Sequence, residues 1–259
     1  MSIHETEAEL WIRRFHPAPE KPIRLVCLPH AGGTASSFFR YSQVLAATAD
    51  VLTIQYPGRQ DRRHEPPLTT VSALADRIHR VLAPYHDRPL FLFGHSMAAS
   101  SASRWPAGWN ARAGRPAVSS SPGGAPPDIY AADNVHTRGD EALIAEMSTL
   151  SGTDPGVLAD EEILRMVLPA MRADFKAIET YRYRPDGPQP ALGCPLSVLT
   201  GESDPRVSLE QAKAWREFTS GPFTFRSFPG GHFFLTPQQD AVTAAIAQDM
   251  ALISQPAAH

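Results

Sequence analysis

Five short apolar runs, each meeting a turn rich in glycine or proline and separated by stretches of helical periodicity, leave this chain few folds to adopt. Ile23 to Leu28 runs into Pro29-His-Ala-Gly-Gly33, Val51 to Ile54 into Tyr56-Pro-Gly58, and Leu90 to Phe93 into Gly94-His-Ser96. Later, Leu196 to Leu199 runs into Thr200-Gly-Glu-Ser-Asp204, and Phe223 to Phe228 is followed by Gly230-Gly-His232. Runs of this length bounded by turn residues read as strands. Between them, Ser36 to Ala47 carries Phe38, Phe39, Val44 and Leu45 on one face, and Val71 to Tyr85 places Leu74, Ile78, Val81 and Leu82 at helical spacing. Leu209 to Phe218 reads as a further helix. The alternation predicts an α/β fold: a mostly parallel central sheet flanked by helices, with ligands bound at the carboxyl ends of the strands.

The pattern changes after residue 128. Glu141 to Leu150 and Asp160 to Tyr183 are helical with no strand between them, and Ile163, Val167, Met171, Phe175, Ile178 and Tyr181 keep one apolar face. Pro169 is predicted to kink the second helix. A helical insertion over about residues 129–190 is expected to form a lid above a pocket, with ordinary packing helices as the alternative. No repeat or linker divides the chain, so a single domain over residues 1–259 is expected.

Several function classes are excluded early. With 24 basic and 27 acidic side chains the net charge is -3, which gives no field to gather nucleic-acid phosphates. No run approaches the roughly 20 apolar residues that span a bilayer. Neither nucleic acid nor membrane is an expected partner, and a monomer is expected. Cys27 and Cys194 adjoin apolar runs without a basic neighbour, which reads as two buried thiols rather than a disulfide framework or a reactive pair. The acidic N-terminus lacks the apolar core of a signal peptide, so the expected location is cytoplasmic. No His or Cys pair recurs at ligand spacing with acidic partners; neither a metal nor a cofactor is expected.

Gly-x-Ser alone says little, but Ser96 follows a strand almost directly, the context of a nucleophile elbow. Asp204 and His232 follow later strands, giving the chain order Ser, Asp, His. A serine hydroxyl is a poor nucleophile near neutral pH unless an imidazole takes its proton and a carboxylate holds that imidazole in the right tautomer. Ser96 is therefore the candidate nucleophile, His232 the base and then acid, and Asp204 the orienter. Charge developing on the attacked carbonyl oxygen needs backbone donors, for which Met97, next after the nucleophile, and the Ala31-Gly32 turn are placed. Each residue has an ordinary alternative, Ser96 as a helix cap and Asp204-Pro205 as a turn. His30 and His95 read as structural or pocket-lining.

These segments, with Trp11-Ile-Arg-Arg-Phe-His-Pro17, Gln55-Tyr-Pro-Gly-Arg59, Arg172-Ala-Asp174, Glu179-Thr-Tyr181 and Pro229-Gly-Gly-His-Phe233, resemble the external type II thioesterases that accompany polyketide synthases and nonribosomal peptide synthetases. The resemblance implies the α/β-hydrolase fold with a lid over the acyl chamber. It implies hydrolysis of acyl thioesters from the phosphopantetheine arm of acyl or peptidyl carrier proteins, clearing aberrant groups. Family roles fall on Ser96, Asp204 and His232 as triad and on Met97 and Ala31 as oxyanion donors.

One segment departs from the family. Where a glycine, a long helix and another core strand are expected after the nucleophile, the chain has Ala98 and a stretch punctuated by Pro106, Gly108, Pro122, Pro126 and Pro127, with no acidic residue from Arg88 to Pro127. Neither part reads as helix or strand. With one consistent choice of mostly G/C-rich codons, each read from the third base of the preceding codon, Ser103 to Pro127 becomes FEVARRLERAGRPARRLVVSGRRAP, an amphipathic helix followed by a buried strand; the choice is one among several. Tryptophan has one codon, so Trp105 and Trp109 each force Val, Leu or Met in the other frame. We read residues 98–127 as translated out of frame, with one base lost near Ala98 and compensation near Pro127; a family variant with a loop here is the alternative. The expected activity is a serine thioesterase. A noncatalytic carrier-protein binder, an inactive product, and a small-molecule esterase remain open.

Overall fold

The computed structural model describes residues 3–98, 118–121, 134–150, 156, 160–182 and 192–254. Its centre is a seven-stranded sheet of β1 (Ile12–Arg13), β2 (Arg24–Leu28), β3 (Asp50–Ile54), β4 (Leu90–His95), β5 (Val118–Ser121), β6 (Leu196–Gly201) and β7 (Phe223–Phe228). The spatial order is β1-β3-β2-β4-β5-β6-β7, parallel throughout except for the antiparallel edge β1. β2, β3, β4 and β6 are buried at every position, as strands covered by helices on both faces must be. Successive side chains serve opposite layers. Val26 and Leu28 join one core with Trp11, Ile78 and Trp215, whereas Leu25 and Cys27 join the other with Phe38, Phe93, Phe234 and Ile246.

Among the described residues the helices named here are α1 (Ile3–Trp11), α2 (Phe39–Leu45), α3 (Val71–Leu82), α4 (Asp140–Leu150), α5 (Glu161–Glu179), α6 (Leu209–Lys213) and α7 (Gln239–Ser254). α3 starts at Thr70, whose hydroxyl accepts the Ala73 N–H, and its apolar stripe of Leu74, Ile78 and Leu82 is fully buried. Each such leucine or isoleucine removed from water stabilises the fold by about 1.5–3 kcal/mol. α5 is capped by Asp160, whose carboxylate accepts the N–H groups of Glu162 and Ile163, and it continues as a helix through Pro169. Its C-terminal half puts Ala177 and Ile178 into the main core. Leu168, Met171 and Phe175 of the same helix join α4 in a separate cluster with Val135, Leu143 and Met147.

The five expected strands are present within two residues of their predicted limits. The expectation that residues 98–127 contain no strand is corrected by β5, which pairs Leu92 to Val118 on one side and Val118 to Leu196 on the other. Serine has little β propensity, but a strand flanked by two others can draw ladder hydrogen bonds from both sides, and this tertiary pairing overrides local preference. The rest of that segment, residues 99–117 and 122–127, lies outside the described residues. α1, β1 and α7 carried no recognised signal.

Both cysteines are free and buried. Burial pushes the Cys27 thiol far up and the Cys194 thiol up to about 11, so neither forms thiolate near neutral pH. Native protein treated with iodoacetamide at pH 8 is accordingly expected to keep its mass and its turnover, while urea-unfolded protein gains two adducts; alkylation of the native chain, followed by mass spectrometry, is the contrary result.

Candidate active site

Four strand ends converge on one place. β4 ends in a turn at Ser96, which has a left-handed φ of 57°, a conformation that turns a non-glycine hydroxyl out of the chain path at the cost of local strain. The chain entering and leaving this turn passes so close that a Cβ on Gly94 would lie 2.8 Å from the Ala98 Cβ. The loops after β6 and β7 are likewise pressed together: Ser203 N–H donates to the Gly230 carbonyl at 2.9 Å, and a Cβ on Gly201 would lie 2.2 Å from the Gly231 carbonyl oxygen. Only glycine at 201 lets the loop of Asp204 meet the loop of His232.

Across this junction His232 Nδ1 lies 3.2 and 3.1 Å from the Asp204 carboxylate oxygens, and Nε2 lies 3.2 Å from Ser96 Oγ. The carboxylate accepts only, so Nδ1 carries the proton and Nε2 is left to accept from the serine hydroxyl. Both side chains of the His–Asp pair are almost fully buried. Asp204 is further held by the Arg206 N–H, which donates to Oδ1 at 2.8 Å, and the Arg206 guanidinium pairs with Glu146 of α4. His232 thus lies within hydrogen-bonding distance of both residues expected to act with it, Ser96 and Asp204.

Met97 is the first helical residue after Ser96, where an N–H has no intrahelical acceptor. Ala31 lines the same cavity as Ser96. The turn after β2 sharpens the sequence expectation, because the Gly32 N–H donates to Asp174 at 2.7 Å and the Gly33 N–H to the His30 carbonyl at 2.9 Å. Ala31, by contrast, has no backbone acceptor among the described residues. His30 and His95 surround the triad as aromatic packing: His95 lies 5.0 Å from the His232 ring and 5.1 Å from Phe233, and His30 lies 4.7 Å from Phe233. Burial, then His232 and Arg59, push the His30 imidazole down to about 3, which keeps it neutral. Among the described residues no group of three His, Cys, Asp or Glu side chains is placed to hold a metal ion.

A cavity of about 500 Å³ opens above Ser96. Its floor is the turn of His30 to Gly33, and its walls are Met147 and Leu150 of α4 with Val167, Met171 and Phe175 of α5. Such a chamber suits a flexible apolar chain, and unbranched methionines adapt to varied shapes.

The family model of the thioesterase domain matches residues 23–250. The chain belongs to the thioesterase family. This thioesterase is 49% identical over 243 residues to a probable cadicidin biosynthesis thioesterase of Streptomyces griseus, covering 93% of this chain and 66% of that protein. It is 47% identical to thioesterase PikA5 of Streptomyces venezuelae, covering 90% of this chain and 82% of that one. Among solved structures, the type II thioesterase BorB of the borrelidin biosynthetic cluster superposes with a TM-score of 0.83 at 45% identity, covering 92% of this chain and 97% of that one. The fold is the α/β-hydrolase fold of type II thioesterases of polyketide and nonribosomal peptide pathways.

Sequence reasoning missed Arg59 and Asp174, whose buried pair underlies the turn after β2, and the Glu146–Arg206 tie between α4 and the loop of Asp204. Arg59 and Asp174 lie in recognised segments without an assigned role. Nothing in the local text pairs them.

Proposed function

We propose that this thioesterase hydrolyses acyl thioesters on the phosphopantetheine arm of acyl or peptidyl carrier proteins, removing aberrant acyl groups during polyketide or nonribosomal peptide biosynthesis. The observation that carries the reading is the hydrogen-bonded chain Ser96–His232–Asp204 at the floor of an apolar chamber. Ser96 Oγ attacks the thioester carbonyl while His232 Nε2 takes the hydroxyl proton and Asp204 stabilises the imidazolium. The N–H groups of Ala31 and Met97 receive the oxyanion. The C–S bond then breaks, His232 returns the proton to the departing pantetheine sulfur, and the acyl group remains on Ser96. A water that gives its proton to His232 attacks the acyl ester, and collapse releases the carboxylic acid and restores the serine hydroxyl. The reaction needs no cofactor.

In this reading α4 and α5 act as a lid, with Met147, Leu150, Val167, Met171 and Phe175 receiving the acyl chain. The proposed place of work is the cytoplasm, beside the synthases, with the enzyme as a monomer; no helix among the described residues is long and apolar enough to cross a membrane. A carrier-borne substrate is expected to show a kcat/KM at least about 100-fold above that of a p-nitrophenyl ester with the same acyl chain, because remote contacts with the carrier and its arm add transition-state binding. Equal or inverted values, measured side by side by thiol release and absorbance, favour a small-molecule esterase. Saturable carrier binding without turnover favours a noncatalytic binder.

A further inference from the structure

The segments Gln55-Tyr-Pro-Gly-Arg59 and Arg172-Ala-Asp174 take no part in the proposed reaction, yet the fold brings them together beneath the turn that carries Ala31. Asp174, on α5, is fully buried and receives both guanidinium nitrogens of Arg59 at 2.8 Å. The same carboxylate accepts the Gly32 N–H at 2.7 Å, and Arg59 Nη1 also donates to the Gly33 carbonyl at 3.1 Å. Gln55 completes the cradle by accepting the Ala35 N–H at 2.8 Å and donating to the Arg59 carbonyl at 3.3 Å.

Peptide planarity turns these contacts into a direction. In a trans peptide the C=O and N–H point opposite ways. The His30 carbonyl is turned toward the Gly33 N–H at 2.9 Å, so the Ala31 N–H of the same plane faces away from the turn. The next plane is pinned by Asp174 through the Gly32 N–H, and the plane after Gly33 by Arg59 through the Gly33 carbonyl. Gly32 has φ +73°, and an added Cβ there would lie 2.1 Å from the Met171 Cε, so α5 presses directly on the turn.

A buried ion pair is a poor device for stability, since well-packed apolar residues of similar size are often as good or better. What a bidentate pair supplies is fixed geometry. We infer that Asp174 and Arg59 are positioning residues that aim the Ala31 N–H at the oxyanion, and that they couple the placement of α5 to the competence of the site. This rests on the proposed roles of Ser96 and Ala31.

The test is the double variant Arg59→Met/Asp174→Leu, which removes both charges together and leaves neither unpaired. It is expected to stay folded, with a thermal midpoint lowered by no more than a few degrees through the Gly32 N–H and Gly33 carbonyl that lose their partners, to lose about 10- to 100-fold in kcat on an acyl-carrier thioester, and to hold KM within about threefold. An alkylboronic acid, whose tetrahedral adduct on Ser96 places an oxygen where the oxyanion forms, is expected to bind more weakly by the same factor. A folded double variant with parental kcat, or a loss of kcat without a matching loss of boronate affinity, overturns the inference. If the double variant does not fold, Asp174→Asn decides: a three- to tenfold fall in kcat at unchanged KM supports the inference, and parental kcat, or an effect confined to KM, overturns it. Ser96→Ala run in parallel separates the two levels, because turnover that survives in Ser96→Ala removes the triad reading itself.

Discussion

Ser96→Ala is expected to lower kcat on an acyl-carrier thioester by about 10⁴- to 10⁶-fold while leaving KM nearly unchanged, because removal of a triad nucleophile eliminates the covalent route and leaves only binding and the oxyanion donors. The geometry makes the effect specific. Ser96 Oγ lies 3.2 Å from His232 Nε2 in an elbow already held by β4, so the methyl of alanine changes no packing. His232→Ala should cost about as much as Ser96→Ala, and the pair together no more than either alone, since the residues act as a unit. Asp204→Asn, which offers His232 the wrong tautomeric partner, should cost about 10⁴-fold. Thiol release timed over hours reads all of these. A Ser96→Ala enzyme within tenfold of the parent refutes the triad assignment.

The second large effect concerns stability. β5 lies inside the sheet, with β4 on one side and β6 on the other, where parallel strands are apolar on both faces; its text is Val-Ser-Ser-Ser. In the shifted frame, with the codon choice above, the same four positions read Arg-Leu-Val-Val. The shift also bears on the elbow. Methionine has the single codon ATG and every alanine codon begins GC, so the shifted triplet at position 98 is GGC, glycine, whatever the codon choice. That is the residue the family places there, and it falls where the chain after Ser96 passes closest to Gly94. We propose that a lost base displaced the natural text of this segment, and that Ala98→Gly combined with the shifted text over residues 103–127 restores an apolar core strand in place of Val-Ser-Ser-Ser. Burying the three apolar strand residues contributes about 5 kcal/mol, which for a domain of this size raises the melting midpoint by about 10–20 °C. Circular dichroism melts of the two proteins compare them directly, and an unchanged or lower midpoint contradicts the proposal. Nucleotide sequencing across these codons gives an independent answer.

Much of the fold was legible because its strands are buried on both faces and therefore appear as apolar runs, as Leu90 to Phe93 and Leu196 to Leu199 do. The triad was legible because each member stands just beyond such a run, and strand ends in a parallel sheet face one site. Elements held by tertiary pairing were not legible: β5 has no propensity of its own, β1 is two residues at an edge, and α1 and α7 lacked a pattern that set them apart. The Arg59–Asp174 pair escaped for the same reason. It joins positions 115 residues apart, and only the folded chain places a carboxylate of α5 under the turn after β2.

Rapid-quench peptide mass spectrometry during turnover of an acyl-carrier thioester reads out directly whether the chain works as a serine thioesterase through an acyl-Ser96 intermediate. An adduct of the acyl mass is expected on the peptide bearing Ser96, formed and consumed at rates compatible with kcat and absent in Ser96→Ala. Steady thiol release with no adduct on that peptide, or with the adduct on another residue, contradicts it.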